Sequence, residues 1–239
     1  QGFDKWREVQ EMRPITGTLG NDAHRNVGVD PVCSGIMQPV CEAVAMLFPN
    51  SLTLLITGGS IILSDGDRVD SYARISRWVE NRLFVTGLTI EQIDEAVREG
   101  RSYGVFSVFG DPYGFVFDGF RGSEYFAMGS VVEGGGVTLR VHAPVRPRDN
   151  GGAPFYESDA VLALVRVLLR RIDAYGVATV AELDDLGETM ELTTDWPGAY
   201  YVEVWIRPYH LEDALGSTSL DLMGREYLWL ITNPIRIGG

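Results

Sequence analysis

Apolar residues along this chain keep two different rhythms, and the change from one to the other falls near residue 100. Ahead of that point the spacing is helical. Phe3, Trp6 and Val9 recur three apart with charges between them, which predicts a short amphipathic helix over residues 1–13. Arg13-Pro14 ends it, because the residue before a proline is pushed out of helical conformation. Ile15 to Leu19 reads as a short apolar strand closed by the turn Gly20-Asn21. After the turn Asp65-Gly66-Asp67, Tyr72, Ile75, Trp78, Val79, Arg82 and Leu83 trace a second helical stripe. In "TIEQIDEAVREG", Thr89 is the N-cap, Gln92 completes a capping-box pattern and Gly100 is the stop.

From Arg101 the period becomes two. "RSYGVFSVFG", "YGFVFDGF", "GVTLRVHAPV", "GVATVAEL", "ETMELTT" and "AYYVEVWIRP" are rich in Val, Tyr, Phe and Thr and are separated by turn residues. "VLALVRVLLRR" has a composition that also suits a helix, but the hairpin-like Asp173-Ala174-Tyr175-Gly176 and the β-branched run after it favour a strand. About seven such strands predict a β-sandwich. In "DWPGAYYVEV", Pro197-Gly198 forces a corner. Tyr200 then stands where a tyrosine-corner hydroxyl returns to the backbone, which points to an immunoglobulin-like sandwich.

Composition narrows the partners. A net charge of −13 with only 20 scattered basic residues makes nucleic acid an unsuitable ligand. The apolar region 43–63 is broken by Pro49-Asn50-Ser51 and by Thr57-Gly58-Gly59-Ser60, so it reads as two short buried segments and not as a membrane span. The start at Gln1 is expected of a chain that was processed, trimmed or cut from something longer. Cys33 and Cys41 lack zinc spacing, and whether they form a local disulfide or two free thiols stays open.

Candidate chemistry centres on Asp22 and His24, at the end of the 15–19 strand. A carboxylate and a neutral imidazole two residues apart face the same side of an extended chain and suit Zn, Mn or Fe. Two ligands do not complete a hydrolytic site, which usually needs about three from protein. His142 and His210 are far from any other histidine and read as structural. Asp65, Asp67 and Asp70 suggest calcium only weakly, since the twelfth position of an EF-hand loop begun at Asp65 is Ser76 and not Glu. Trp196, Tyr200, Tyr201, Trp205 and Tyr209 lie within 14 residues and offer either a stacking platform for sugars or filling for the sandwich core.

"GTLGNDAHRN" resembles the last metal-binding motif of the polymerase and histidinol phosphatase (PHP) superfamily, which stands near the end of a distorted (β/α)7 barrel. "DGDRVDSYARISRWVENRLFV", "EAVREGRSYGVFSVFGDPYGFVFD" and "PGAYYVEVWI…LWLITNPIRI" are similar to the segments that follow it in larger bacterial PHP-type phosphoesterases with a sandwich-like extension. The resemblance implies metal ligation by Asp22 and His24, with Asn21 behind them. It further implies phosphate ester hydrolysis at a multinuclear centre of Mn, Zn or Fe. The family's earlier His-x-His, Glu and His motifs are missing, so the site in this chain is incomplete. The partner is then the upstream part of the same protein or a second polypeptide that completes the barrel, and a small phosphate ester is the candidate substrate. A periplasmic or extracellular location goes with such extensions. The expected fold class is α+β: residues 1–90 as the C-terminal portion of a PHP-like α/β barrel and residues 91–239 as an immunoglobulin-like β-sandwich. The alternative is a non-catalytic extracellular binding or structural sandwich module with a vestigial Asp-x-His.

Overall fold

The period-two segments after residue 100 form strands, which hold most of the secondary structure among the described residues. The computed structural model describes residues 2–12, 15–20, 73, 76–148, 163–211 and 223–238. Two helices occur among these, α1 (Gly2–Met12) and α2 (Ile90–Glu99). The early strands are β1 (Glu80–Leu83), β2 (Ser102–Val105), β3 (Asp111–Tyr113), β4 (Val116–Arg121), β5 (Glu124–Ala127), β6 (Val131–Val132), β7 (Val137–His142) and β8 (Arg146–Arg148). The later ones are β9 (Ala163–Asp173), β10 (Gly176–Leu183), β11 (Thr189–Thr194), β12 (Gly198–Pro208), β13 (Tyr227–Thr232) and β14 (Ile235–Ile237).

One sheet of eight strands runs β1-β2-β13-β12-β14-β6, with β9 on the other side of β12 and β10 beyond it. Its pairs are antiparallel except β14 with β6. A four-stranded sheet runs β11-β7-β4-β5, and β3 pairs β8 separately. In β7 the inward residues Val137, Leu139 and Val141 are buried, while Thr138, Arg140 and His142 between them are partly exposed. They join Phe117 of β4 and Val165, Val167, Leu169, Val202, Val204 and Ile206 of the large sheet in one apolar cluster. The apolar faces of both sheets thus share a core, an arrangement compatible with a β-sandwich.

The ambiguous segment 163–173 is a strand because it lies between two others. It pairs with β12 over ten residue positions and with β10 on its other edge. Sandwich burial on one side and lateral pairing on both overrides its helix-compatible composition. α2 follows its sequence signals more directly. Thr89 Oγ1 accepts from the Gln92 N–H at 3.3 Å, and Gly100 closes the helix in the left-handed region. The Gln92 side chain instead donates to Thr86 Oγ1, so half of the capping box forms.

Three expectations change. The helical stripe through Trp78 and Leu83 does not continue as a helix: residues 80–83 are β1, whose register on β2 pairs Glu80 with Val105. Residues 15–19, expected as a strand, form none. The division at residue 90 also shifts, since one compact unit comprises residues 1–20 with 78–239 and a second comprises 21–77. Helix α1 and strand β1, both placed with a barrel by sequence, therefore belong to the sandwich unit. Of the second unit only Ala73, Ser76 and Arg77 are described, and the Ser76 hydroxyl donates to the Ala73 carbonyl at 3.4 Å. Among the described residues no helix is long and apolar enough to cross a membrane.

The corner expected at Tyr200 is present. Its ring is 1% exposed, and its hydroxyl donates to the Trp196 carbonyl at 2.8 Å, with Thr194 Oγ1 3.1 Å away. Tyr200→Phe should lower the unfolding free energy by about 1–2 kcal/mol in urea denaturation without altering the m-value, because a carbonyl at the corner loses its donor.

Candidate functional site

β12 is central enough to need cover on both faces. Tyr200, Val202, Val204 and Ile206 face the shared core. The alternate residues Ala199, Tyr201, Glu203 and Trp205 face the other way, where Trp6 and Arg7 of α1 meet Ala199, Tyr201 and Glu203. Trp6 meets Tyr201 edge-on, with ring centroids 5.2 Å apart, and packs with Ile172, Ala199, Ile231 and Leu19 in a second apolar cluster.

At the middle of this face lies Glu203, 0% exposed. Arg7 of α1 donates Nη2 to its Oε1 and Nε to the Tyr201 hydroxyl at 2.9 Å. Tyr201 donates to the same carboxylate at 3.0 Å, Trp205 Nε1 at 3.1 Å and Arg170 Nη2 at 3.4 Å. Burial alone would raise the Glu203 carboxyl, but the hydrogen bond and charge of Arg7, then the Trp205 and Arg170 donors, outweigh it and hold the group below its ordinary value. Burial and the neighbouring carboxylate push the Tyr201 phenol up, so it remains a donor. Both carboxylate oxygens are committed to these donors, which makes Glu203 an anchor for α1.

The chain leaving α1 is held equally closely. Arg236 Nη2 donates to the Gln10 carbonyl at 2.8 Å, and Gln10 Nε2 donates to the Ile15 carbonyl at 2.6 Å. Asn233, 3% exposed, accepts the Gly17 N–H at 2.7 Å and donates to the Gly17 carbonyl at 3.1 Å and to Ser102 Oγ at 2.8 Å. Asn81 does the same for Leu19, with both bonds at 2.8 Å. A carboxamide carries the donor and acceptor of a peptide group, so each asparagine substitutes for one residue of a neighbouring strand. The Leu19 side chain lies over Gly104, where a Cβ would come within 2.4 Å of Leu19 Cγ. Gly20 is the last described residue before Asn21, Asp22 and His24.

Asn21, Asp22 and His24 themselves lie outside the described residues, as do Cys33, Cys41 and the Asp65–Asp70 turn. Among the described residues no group of three His, Cys, Asp or Glu side chains is placed to hold a metal. His142 Nδ1 is 2.8 Å from Thr189 Oγ1 on the neighbouring strand. His210 Nε2 donates to the Phe109 carbonyl at 3.0 Å, and burial brings its pKa down to about 4 despite that bond. The five aromatics expected to form a platform or core divide. Tyr200 and Tyr201 are buried, Trp205 and Tyr209 are half-buried, and Trp196 is 67% exposed. Sequence reasoning did not single out Arg7, Asn81, Glu203 or Asn233. The only local signal was polarity inside apolar strands, in "YYVEVW" and "WLITNP".

No family model matches the chain, and no curated protein matches it. Among solved structures, the crystal structure of the PmoD soluble domain from Methylocystis sp. ATCC 49242 (Rockwell) is similar at 9% identity, covering 52% of this chain and 90% of that one, with a TM-score of 0.31. A likeness at that score carries no argument about function.

Asn233→Ala strands the buried polar groups around Gly17 and Ser102 and should cost about 1–3 kcal/mol, with faster hydrogen exchange at Gly17. Asn81→Ala, at an exposed position, should speed exchange at Leu19 with a smaller loss. The depressed Glu203 pKa gives a sign for acid. Its contribution to α1 docking is complete above the ordinary carboxylate value of 4.5 and is lost only as pH falls through the lower folded value. Exchange protection of α1 in Glu203→Gln should lack that low-pH step.

Proposed function

We propose that this chain is the C-terminal part of a PHP-type metal-dependent phosphoesterase, with Asp22 and His24 ligating divalent Mn, Zn or Fe in a multinuclear centre completed by the upstream part of the same protein. The motif "GNDAHRN" and its downstream likenesses suggest the chemistry. One structural observation carries the reading further: both peptide groups at Gly17 and Leu19 are gripped by Asn233 and Asn81, immediately before the motif. Metal ligands must be held to within about 0.5 Å, and a chain bonded to a sheet on its approach supports that demand better than a free linker would.

Bound metals would lower the pKa of a water and offset charge on the phosphoryl oxygens. The chain's own part is positional. Glu203 and Arg7 fix α1, Gln10 and Arg236 fix its exit, and the two asparagines fix the approach to Asp22. The sandwich serves as an immunoglobulin-like support, a reading favoured by the Tyr200 hydroxyl returning to Trp196. A periplasmic or extracellular location accompanies this reading.

Metal content and hydrolysis of bis(p-nitrophenyl) phosphate should be measured together on the longer protein that carries the upstream motifs. Asp22→Ala should lower metal stoichiometry and turnover in parallel. Unchanged turnover would remove Asp22 from the metal shell, and a metal-free parent after repletion with Mn, Zn and Fe would favour a non-catalytic module.

A further inference from the structure

We infer that the cleft between Trp196 and the β9–β10 hairpin is a binding site for a neutral oligosaccharide. The cleft has a volume of about 650 Å³, within the roughly 300–1,000 Å³ range of small-molecule sites. Trp196 and Tyr175 line it, and they are 67% and 99% exposed.

The backbone of both aromatics is held, and the Trp196 ring carries a guanidinium on one face. The Trp196 N–H donates to Thr194 Oγ1 at 3.1 Å while its carbonyl accepts from Tyr200. On the facing hairpin the Tyr175 N–H donates to Asp173 Oδ1 at 2.8 Å, and Asp173 Oδ2 lies 2.7 Å from Arg171 Nη2. The Arg171 guanidinium then stacks on the Trp196 ring, 5.3 Å from its centroid. A chain of contacts therefore runs from the backbone of one aromatic to the ring of the other. The stem of Arg171 passes over Gly198, where a Cβ would lie 2.8 Å from Arg171 Cγ, so the stacking requires that glycine, whose φ is +153°. Preorganisation of Trp196 in this way reduces the ordering entropy lost on binding, and both it and Tyr175 leave ring surface facing water for a ligand to cover.

The polar groups select the ligand class. Glu11 and Asp173 bring carboxylates to the cleft and oppose an anion; Arg171 and Arg236 bring guanidiniums and oppose a cation. Arg171 is engaged by Asp173 and Trp196, and Arg236 by Gln10. A polyproline-type peptide would present carbonyl acceptors to carboxylates that can only accept. A pyranose presents hydroxyl donors to Glu11 and Asp173, and its flat C–H face can lie against the open side of an indole or phenol ring.

The test uses the full chain and needs no metal, so its outcome is independent of phosphoesterase activity. Cello-, xylo-, manno- and chitohexaose are titrated by calorimetry, with decaproline as the competing ligand class. At least one hexaose should bind, with Trp196→Ala and Tyr175→Ala each weakening it by at least about tenfold and Trp196→Phe retaining most of the affinity. Near-UV circular dichroism checks the fold of each variant; should Trp196→Ala fail to fold, the almost wholly exposed Tyr175 still supplies the decisive substitution. Binding by no hexaose, hexaose binding indifferent to Tyr175→Ala, or decaproline binding in place of the sugars would each overturn the assignment.

Discussion

A single buried carboxylate sets the terms for one whole face of the large sheet. Glu203 sits on the central strand with 0% exposure, and an ionised carboxylate in that position is tolerable only when opposite charge and hydrogen bonds replace its water. Arg7 supplies both from 196 positions earlier in the chain. The helix that carries Arg7 is thereby tied to β12, and Trp6 one position before it closes the apolar part of the contact. Replacing one partner would leave a desolvated charge behind, which is why the pair enforces docking more strongly than it adds net stability.

The described residues that follow α1, up to Gly20, are bonded to the same unit. Gln10 connects the helix to Ile15 and to Arg236, and the amides of Asn233 and Asn81 then receive the next residues as if they were strand partners. The segment reaches Gly20 with its backbone bonded to side chains of the sheet. Side chains again fix backbone at the Trp196 corner, where Tyr200 and Thr194 bond its main chain and Arg171 lies over its exposed indole.

What was legible in the residues was mostly local. Helix α2 has its cap at Thr89 and its stop at Gly100 because both devices act within one turn of chain. The Tyr200 hydroxyl bond spans four residues and follows from the corner at Pro197-Gly198. Strand periodicity was equally visible, since alternation in β7 reports directly which face is buried. Residues 15–19 read as a strand but form none; their partners are asparagine side chains from residues 81 and 233, which no nearby pattern announces. Trp78 and Leu83 fit a helical stripe by spacing, yet the edge of β2 was open to pairing and took residues 80–83 as a strand.

By itself the sequence determined the period-two rhythm of the strands after residue 100, the caps and corner that punctuate helix α2 and strand β12, the acidic composition and the short motif at Asp22 and His24. Tertiary structure alone decided that Arg7 meets Glu203, that two amides grip the approach to that motif, that Tyr175 and Trp196 line one cleft, and that residues 1–20 belong with the sandwich. The physical reason is the range of the forces. Backbone propensity and capping act over a few residues, whereas pairing a desolvated charge or a buried amide depends on whichever distant group the fold brings within hydrogen-bond reach.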